Sequence, residues 1–325
     1  MAAPIPIGAW HWAGFILFIL VAVALDLGLF HRTARVVKVR EALLWSGIWL
    51  LLALLFAMAL AQWRGREESL QFLAGYLVEF SLSLDNVLAM AVIFASFGVA
   101  AEYQHRVLCL GIVGALLMRG MMIGASAALL QYFHWLLYLM GLFLVVTGLR
   151  WGFSKPAASR PQDNWSIRLA RKLFHVSDGP DGGRFVTISN GRRALTPLAL
   201  VLLAVETTDL IFAVDSIPAV FAVTQDAFIV FTSNIFAILG LRSLYFVLAG
   251  AMGSFRYLRT GLAGVLVVIG LKMLVARWLT VPTSLSLGVV VVIVAAAIVC
   301  SILAARREKD APKKKTGTDD RKVEK

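Results

Sequence analysis

Charged residues are scarce in this sequence and unevenly placed. Only 15% of the 325 residues are Asp, Glu, Lys or Arg, whereas 60% are hydrophobic; soluble domains carry about a quarter charged residues. The charges gather between long apolar runs, so that no long polar segment remains from which a soluble domain could build its own core. The pattern argues against a soluble protein and predicts one polytopic membrane domain.

Cysteine and histidine are also in short supply. The two cysteines, Cys109 and Cys300, lie far apart in separate apolar runs, and they predict neither a disulfide framework nor a thiolate metal cluster. The five histidines fall at the ends of apolar runs or in loops. A binding site inside the apolar runs would therefore have to use oxygen ligands.

Acidic residues are outnumbered by basic ones, 19 to 31, which gives a net charge of +12. Such an excess can indicate nucleic-acid binding, but nine of the basic residues lie in 306–325 and another nine in 150–193. Positive charge beside membrane spans sets topology more often than it binds a partner. We therefore predict no nucleic-acid partner.

Nine apolar stretches are long enough to cross a bilayer, which takes about 20 residues. They are predicted to be helices, because the backbone must satisfy its own hydrogen bonds in lipid. The predicted spans are 10–30, 42–62, 70–98, 107–129, 132–150, 196–222, 227–249, 257–279 and 284–304. The predicted fold class is therefore all-α, a polytopic membrane protein with about nine transmembrane helices.

The basic residues between the spans predict the orientation. With a cytoplasmic C-terminus, 25 of them face the cytoplasm and two, Arg64 and Arg66, face outside. Because cytoplasmic loops are enriched in Lys and Arg, we predict an outer N-terminus and a cytoplasmic C-terminus in a bacterial inner membrane. Residues 1–305 then form the transmembrane domain with a cytoplasmic loop at 151–195, and 306–325 form a basic disordered tail. An amphipathic segment in that loop, WSIRLARKLF, is either an inner-leaflet helix or a plain tether.

Five acidic residues interrupt two of the apolar stretches. A charged side chain at a helix centre costs roughly 2.5–3.5 kcal/mol even on the milder insertion scale. Protonation, the intramembrane cations Arg119 and Arg242, or a bound metal would offset this cost. The five acids are Glu79, Asp85, Glu206, Asp209 and Asp215.

The two acidic stretches resemble each other. Placing Asp85 over Asp215 aligns Glu79 with Asp209 and Asn86 with Ser216, without gaps. On the predicted topology the two stretches run in opposite directions, which is typical of an inverted repeat with a substrate site between its halves.

Helical spacing separates some of these side chains. Glu79, Ser83 and Asn86 fall on one stripe, whereas Asp85 lies more than about 90° away from it. All five acids converge only if the helices are distorted. Pro218 supplies one means, because its missing N–H would free a carbonyl next to Asp215; a kink that serves packing alone is the alternative.

The available ligands are carboxylates, amides, hydroxyls and carbonyls. Such oxygen sites suit Mg²⁺, Ca²⁺ or Mn²⁺ rather than Cu²⁺ or Zn²⁺. The alternative is that each acid merely pairs with Arg119 or Arg242 to hold helices together, but five acids face two central arginines. Asn86, Asn234 and Ser83 are possible supporting ligands.

Two long motifs carry a resemblance to a known family. The stretches EFSLSLDNVLAMAVIFASFGV and ETTDLIFAVDSIPAVFAVTQDAFIVFTSNIFAILGLRSLYF resemble the paired signatures of the TerC family, named for tellurium resistance and related to LysE-type exporters. The resemblance implies a bacterial inner-membrane protein and, since several members export manganese, transport of Mn²⁺. It also implies that the five acids are metal-handling residues and that Asn86 and Asn234 hold motif positions.

Three functions follow as expectations. The first is export of Mn²⁺, or of Ca²⁺ or another hard divalent cation, as substrate and without a bound cofactor. Protons are the simplest counter-ion, because desolvation favours the protonated form of a carboxylate. The second is a non-transporting assembly or tellurite-stress protein in which the acids are structural. The third, an intramembrane aspartyl protease with Asp85 and Asp215 as its dyad, lacks the GxGD and YD contexts of those enzymes, and we predict no enzyme activity.

Overall fold

The computed structural model describes residues 7–30, 39–153, 165–177, 183–189, 192–248, 257–279 and 281–310, with the side chains of 25–30, 166, 242, 248 and 305–310 excepted. Ten helices and one short hairpin make up this part of the chain. They are α1 (Ala9–Phe30), α2 (Val39–Trp63), α3 (Arg66–Ser96), α4 (Ala101–Tyr132), α5 (Leu136–Phe153), α6 (Trp165–Leu173), β1 (Val186–Ser189), β2 (Arg192–Leu195), α7 (Pro197–Phe221), α8 (Ala227–Leu248), α9 (Leu258–Val275) and α10 (Thr283–Asp310).

The predicted all-α membrane fold is confirmed. Eight helices in the described part of the chain, α2 to α5 and α7 to α10, are long and apolar enough to cross a membrane. The first predicted span coincides with α1, which is 22 residues long. Helix α10 continues to Asp310, beyond the predicted end of its span. The rest of the predicted tail, 311–325, lies outside the described residues.

Helix directions agree with the predicted inverted repeat. Helices α3 and α8 run side by side in the same direction, since Arg64 bonds Asp226 at their starts and Phe94 packs edge-on against Tyr245 near their ends. Helices α4 and α7 form the equivalent parallel pair. If α3–α5 and α7–α9 are the two halves, each half contributes one helix to each pair, as an in-plane two-fold axis requires.

The third helices of the two halves pack against each other in antiparallel orientation. Gly141 of α5 lies against Gly270 of α9, and Gly148 lies against Ala263. A Cβ atom on Gly148 would approach the Ala263 carbonyl oxygen to 2.7 Å, so the two backbones meet at a distance that a side chain would prevent. Small residues commonly allow such close helix crossings in membranes.

Outside the two halves, α1 and α2 pack on α3 and α8 through an aromatic cluster. Phe15, Phe56, Phe72 and Phe236 form its centre, with ring centroids 5.1–5.9 Å apart for the pairs in contact. This apolar packing closes one side of the bundle, so that the buried polar residues lie among α3, α4, α7 and α8.

The loop before α7 contains structure that the sequence did not predict in full. The amphipathic segment forms α6, and Ile167 and Ala170 are buried. The β1–β2 hairpin follows, with Val186 paired to Leu195. Thr196 then caps α7, because its side chain accepts a hydrogen bond from the Ala199 N–H. The loop therefore ends in a defined N-terminus for the helix that carries three of the acids.

Candidate functional site

A fully buried arginine lies at the centre of the four polar helices. Arg119 of α4 has a side chain that is 1% exposed. Its Nη2 is 3.0 Å from Asp209 Oδ1 and its Nε is 3.2 Å from Asp209 Oδ2, a two-point contact with that carboxylate. Its Nη1 donates to Glu79 Oε1 on the other side. One guanidinium thus holds a carboxylate from each half of the bundle.

Neutral polar groups complete this arrangement, which we call the central cluster. Arg119 Nη1 also lies 3.2 Å from Asn234 Oδ1 and 3.5 Å from Ser216 Oγ. Ser83 Oγ donates to Glu79 Oε1 at 3.0 Å, and Asn86 Nδ2 donates to Asp209 Oδ1. The central cluster consists of Glu79, Ser83, Asn86, Arg119, Asp209, Ser216 and Asn234. The predicted stripe of Glu79, Ser83 and Asn86 therefore faces one site.

The expectation that acids pair with Arg119 describes two of the five. Glu79 and Asp209 both form ion pairs with it and are buried. Removing one partner of a buried ion pair commonly costs about 3–5 kcal/mol, because the remaining charge stays uncompensated. These two acids therefore hold helices together, whatever else they do.

Glu206 differs from both, since its carboxylate rests against glycines instead of a cation. A Cβ atom on Gly114 would lie 2.3 Å from Glu206 Oε1, and one on Gly111 would lie 3.6 Å from it. The two glycines thus form a notch on α4. Any other residue at Gly114 would place its Cβ atom where the Glu206 carboxylate lies. Glu206 Oε2 is buried and has no hydrogen-bond partner among the described residues.

A cavity joins Glu206 to the central cluster. It offers about 50 Å³ to the centres of water molecules, and roughly 10–15 Å³ is enough for one water. It therefore has room for a few waters or for a partly hydrated ion. Its polar lining consists of Ser83, Asn86, Arg119, Glu206, Asp209 and Tyr245.

The cavity extends from the central cluster in one direction. Its walls reach Met90 of α3, Leu108 of α4, Val205 of α7 and Tyr245 of α8. These residues lie toward the C-terminal ends of α3 and α8 and the N-terminal ends of α4 and α7. On the orientation predicted from the basic residues, this is the cytoplasmic side.

At the opposite end of the bundle, ion pairs between side chains join the starts of α3 and α8. Arg64 bonds Glu68 and, at 2.8 Å, Asp226. Asp226 also caps α8, because its Oδ1 accepts from the Phe228 N–H at 2.9 Å. On the predicted orientation this ion-paired end would face outside, and the cavity would extend toward the cytoplasm.

Asp85 and Asp215 lie apart from the central cluster. Asp85 is partly buried, and the charge of Arg259 at the start of α9 acts on it. Asp215 forms a side-chain hydrogen bond with Thr147 and lines a second, smaller cavity with Trp151. Each lies six residues beyond an acid of the cluster, about 9 Å at 1.5 Å per residue. Because α3 and α7 run in opposite directions, the two aspartates lie on opposite sides of the cluster.

The predicted convergence of all five acids is therefore not found. Helix α7 is continuous from Pro197 to Phe221, so that Pro218 near its end does not bring Asp215 to the others. No three His, Cys, Asp or Glu side chains within the described ranges are arranged to hold a metal together. The side chain of Arg242, the other predicted ion-pair partner, lies outside the described residues.

Several residues of the site were missed by sequence reasoning. Gly111 and Gly114 gave a signal, because glycines three residues apart share one face of a helix and often mark a close contact. Ser216 was aligned with Asn86 but not selected as a site residue. Tyr245 gave no signal. It lines the cavity from α8, and its hydroxyl donates a hydrogen bond at 3.0 Å to Gln104 Oε1, which is 141 residues away along the chain.

Comparisons with known proteins agree with the motif resemblance. The Integral membrane protein TerC family matches residues 64–309. The uncharacterized membrane protein STKORF319 of Myxococcus xanthus is 50% identical over 279 residues, which cover 86% of this chain and 88% of that protein. Alx of Escherichia coli strain K12, named as a proposed membrane-bound redox modulator, is 44% identical over 288 residues, covering 86% and 90% of the two chains.

More distant relatives have the same extent. An uncharacterized membrane protein of Rickettsia bellii is 35% identical over 278 residues, which cover 86% of this chain and 92% of that protein. No solved structure matches the chain. The matched region contains α3 to α9, and therefore both acidic helices and the whole central cluster.

Proposed function

This chain belongs to the TerC family of integral membrane proteins, and from that premise we propose that it exports a divalent metal cation, Mn²⁺ in particular, across the bacterial inner membrane. One observation carries the proposal. The carboxylates of Glu206 and Asp209 line one cavity together with the guanidinium of Arg119. Arg119 also pairs with a third carboxylate, that of Glu79, so that three carboxylates share one described guanidinium. With all groups ionised this leaves two negative charges, which one divalent cation would neutralise.

Most orphaned polar atoms of the site are acceptors, which favours a cation over an anion. Glu79 Oε2, Asn86 Oδ1 and Glu206 Oε2 are buried acceptors without a donor in the described part of the chain, whereas Asn234 Nδ2 is the one donor of the central cluster without an acceptor there. Buried polar atoms normally have a partner, and such exceptions call for an ion or water. The acceptors are all oxygens, which hard ions such as Mn²⁺ and Ca²⁺ prefer.

The direction of transport follows from where the cavity extends. It leads from the central cluster toward the side with most basic loops, while on the other side an ion pair between Arg64 and Asp226 joins the starts of α3 and α8. An ion would then enter from the cytoplasm and leave after the two halves rock. Tags at Met1 and after Lys325 test the orientation, since the first should be accessible from outside and the second from the cytoplasm.

Export against an inside-negative potential needs a driving ion, and proton exchange is the simplest hypothesis. Glu206 binds the incoming cation in this proposal, together with Asn86 and Asp209. Asp85 and Asp215 pass the ion to and from the cluster from opposite sides.

The direct test uses the purified full-length chain in liposomes that contain a fluorophore quenched by divalent metals. Mn²⁺ should enter these liposomes faster than protein-free ones, and Zn²⁺ and Cu²⁺ should not. In cells, loss of the protein should raise manganese content and sensitivity to manganese before zinc. Equal rates with and without protein for Mn²⁺ and Ca²⁺ would overturn the proposal.

A second function is favoured by the ion pairs of Arg119, which hold Glu79 and Asp209 as structural partners would. In that case the chain is a membrane assembly or tellurite-stress protein. Its loss would then change tellurite resistance without changing cell manganese.

The name of the relative Alx points to redox chemistry. Replacing the two cysteines of this chain would test whether it has a thiol-based redox function. Cys109 is buried on α4 with its Sγ 3.4 Å from His105 Nδ1, Cys300 is exposed on α10, and neither forms a disulfide. A metal exporter should keep its transport rate when Cys300 is replaced by serine and Cys109 by alanine. A thiol-based redox function would be lost.

A further inference from the structure

Arg119 joins the two halves of the bundle. Its bond to Glu79 stays within the half formed by α3–α5, whereas its bonds to Asp209, Ser216 and Asn234 cross to the half formed by α7–α9. The crossing contact with Asp209 has two points and is charged on both sides. Arg119 is therefore a cross-link at the level where the halves would have to move past each other.

A cation in the cavity would compete with Arg119 for Asp209. Both oxygens of Asp209 accept hydrogen bonds from Arg119, and Asp209 lines the cavity together with Glu206 and Asn86. A divalent ion bound to Asp209 from the cavity would be a like charge beside the guanidinium. In a buried site such repulsion is weakly screened, so the two cations exclude each other.

Glu79 has the capacity to receive the displaced guanidinium. At present Arg119 bonds only its Oε1, which Ser83 also contacts. Glu79 Oε2 is buried and has no partner among the described side chains and backbone. An arginine can bond both oxygens of one carboxylate at once. Turning from Asp209 to Glu79 would thus exchange one two-point contact for another.

We propose that Arg119 is a tethered substitute for the transported ion. It occupies Asp209 while the site is empty, and the arriving divalent cation transfers it to Glu79. The inference rests on the proposed function and adds to it a named step, in which ion binding breaks the charged cross-link between the halves. Release of the ion on the far side restores that cross-link and resets the carrier.

The experiment measures Mn²⁺ binding to the purified full-length chain from the magnetic-resonance signal of unbound Mn²⁺. Arg119→Gln removes the competing charge and should tighten Mn²⁺ binding by about tenfold or more. Mn²⁺ should also raise the melting temperature of Arg119→Gln by more than that of the wild type. Transport by Arg119→Gln in liposomes should be lost, because nothing displaces the bound ion.

Arg66→Gln is the matched control. It makes the same charge change at an exposed position at the start of α3, outside the central cluster, and should leave Mn²⁺ affinity within about twofold of the wild type. If Arg119→Gln does not accumulate in the membrane, Arg119→Lys is measured in its place. A lysine ammonium keeps the positive charge but cannot bond both oxygens of one carboxylate in a plane as a guanidinium does. Its weaker hold on Asp209 should still tighten Mn²⁺ binding.

The outcomes separate the two proposals. If the wild type binds Mn²⁺ and the Arg119 variants bind it equally or more weakly, Arg119 does not compete with the ion and this inference is wrong. If no variant and no wild-type protein binds Mn²⁺ or Ca²⁺, the proposed function itself fails.

Discussion

Two glutamates in the same buried centre have opposite surroundings. Glu79 is fully buried, and its Oε1 accepts hydrogen bonds from Arg119 and Ser83. Glu206 lies beside the same arginine's helix, but it contacts Gly111 and Gly114 and has no donor on Oε2 within the described chain. One carboxylate is committed to the fold and the other is available to a ligand. Residue type and membrane depth alone do not distinguish these two roles.

The register of two parallel helices produces this difference. Glu206 and Asp209 are three residues apart on one face of α7. Because α4 runs in the same direction beside it, Asp209 reaches Arg119 while Glu206 reaches α4 one to two turns earlier, at the glycines. Helix α4 therefore places a cation, Arg119, beside Asp209, and two glycines without side chains beside Glu206.

Removing Arg119 should give the largest effect. Arg119→Leu leaves Glu79 and Asp209 buried without a counter-charge, and we expect a loss of about 3–5 kcal/mol in stability, seen as low membrane abundance and a lower melting temperature. Adding Glu79→Gln and Asp209→Asn removes both stranded charges and should restore abundance. If Arg119→Leu alone is as abundant as wild type without added metal, the ion pairs do not hold the fold.

Removing the charge of Glu206 should affect transport but not stability. Glu206→Gln loses a carboxylate that no described donor satisfies, so abundance should stay normal or rise, since an intramembrane charge costs roughly 2.5–3.5 kcal/mol. Mn²⁺ transport should fall by more than about tenfold, because Glu206 is the carboxylate of the cavity that does not pair with Arg119 and is therefore available to bind the ion.

Glu102→Gln is the control for that variant, as Glu102 is exposed at the start of α4. It should leave Mn²⁺ transport unchanged. Low abundance of Glu206→Gln with normal transport per molecule would mean that Glu206 has a structural role and that the comparison with Glu79 is mistaken.

The sequence predicted the fold far better than it predicted this contrast. Apolar runs and loop charges are local properties, and each predicted span has its helix in the structure. The opposite directions of α3 and α7 followed from the predicted order of the spans, and the alignment of Asp85 with Asp215 added that the two helices are related. Such features need no knowledge of which side chains touch.

Contacts within the site depend on how the helices are rotated and shifted along their axes relative to one another, which cannot be predicted from the sequence pattern of any single helix. The stripe of Glu79, Ser83 and Asn86 was predicted because it lies on one helix. That Arg119 holds Glu79 and Asp209, 40 and 90 residues away along the chain, depends on the rotation and depth of three helices. Convergence of all five acids required distorted helices, and α7 is continuous, so Asp85 stays on the side of α3 that the 100° spacing per residue gives it.

Filling the glycine notch should have a smaller effect than removing the carboxylate. A methyl group at Gly114 would overlap Glu206, which must move away from α4. We expect Gly114→Ala to lower Mn²⁺ transport several-fold and stability by about 1–3 kcal/mol, as overpacking does. Gly124→Ala is the control, because nothing lies within 4 Å of a Cβ atom there. Its stability should stay the same or rise by about 0.5–1 kcal/mol.

The smallest and most specific effects should come from Asp85 and Asp215, which flank the cluster on opposite sides. If ions enter from the cytoplasm, Asp85 lies on the entry side and Asp215 on the exit side. Asp85→Asn should then raise the half-saturating Mn²⁺ concentration by about twofold, equivalent to ~0.4 kcal/mol, with little change in maximal rate. Asp215→Asn should lower the maximal rate and leave half-saturation nearly unchanged, because it acts after the ion has been bound.

The reverse pattern would indicate movement in the opposite direction, and with it an inverted topology. Complete loss of transport in both variants, at normal abundance, would mean that the two aspartates bind the ion directly in another conformation. Glu206 would then share its role with them, and the five acids would act together after the halves have moved. The split between half-saturation and maximal rate therefore decides whether the flanking acids guide the ion or hold it.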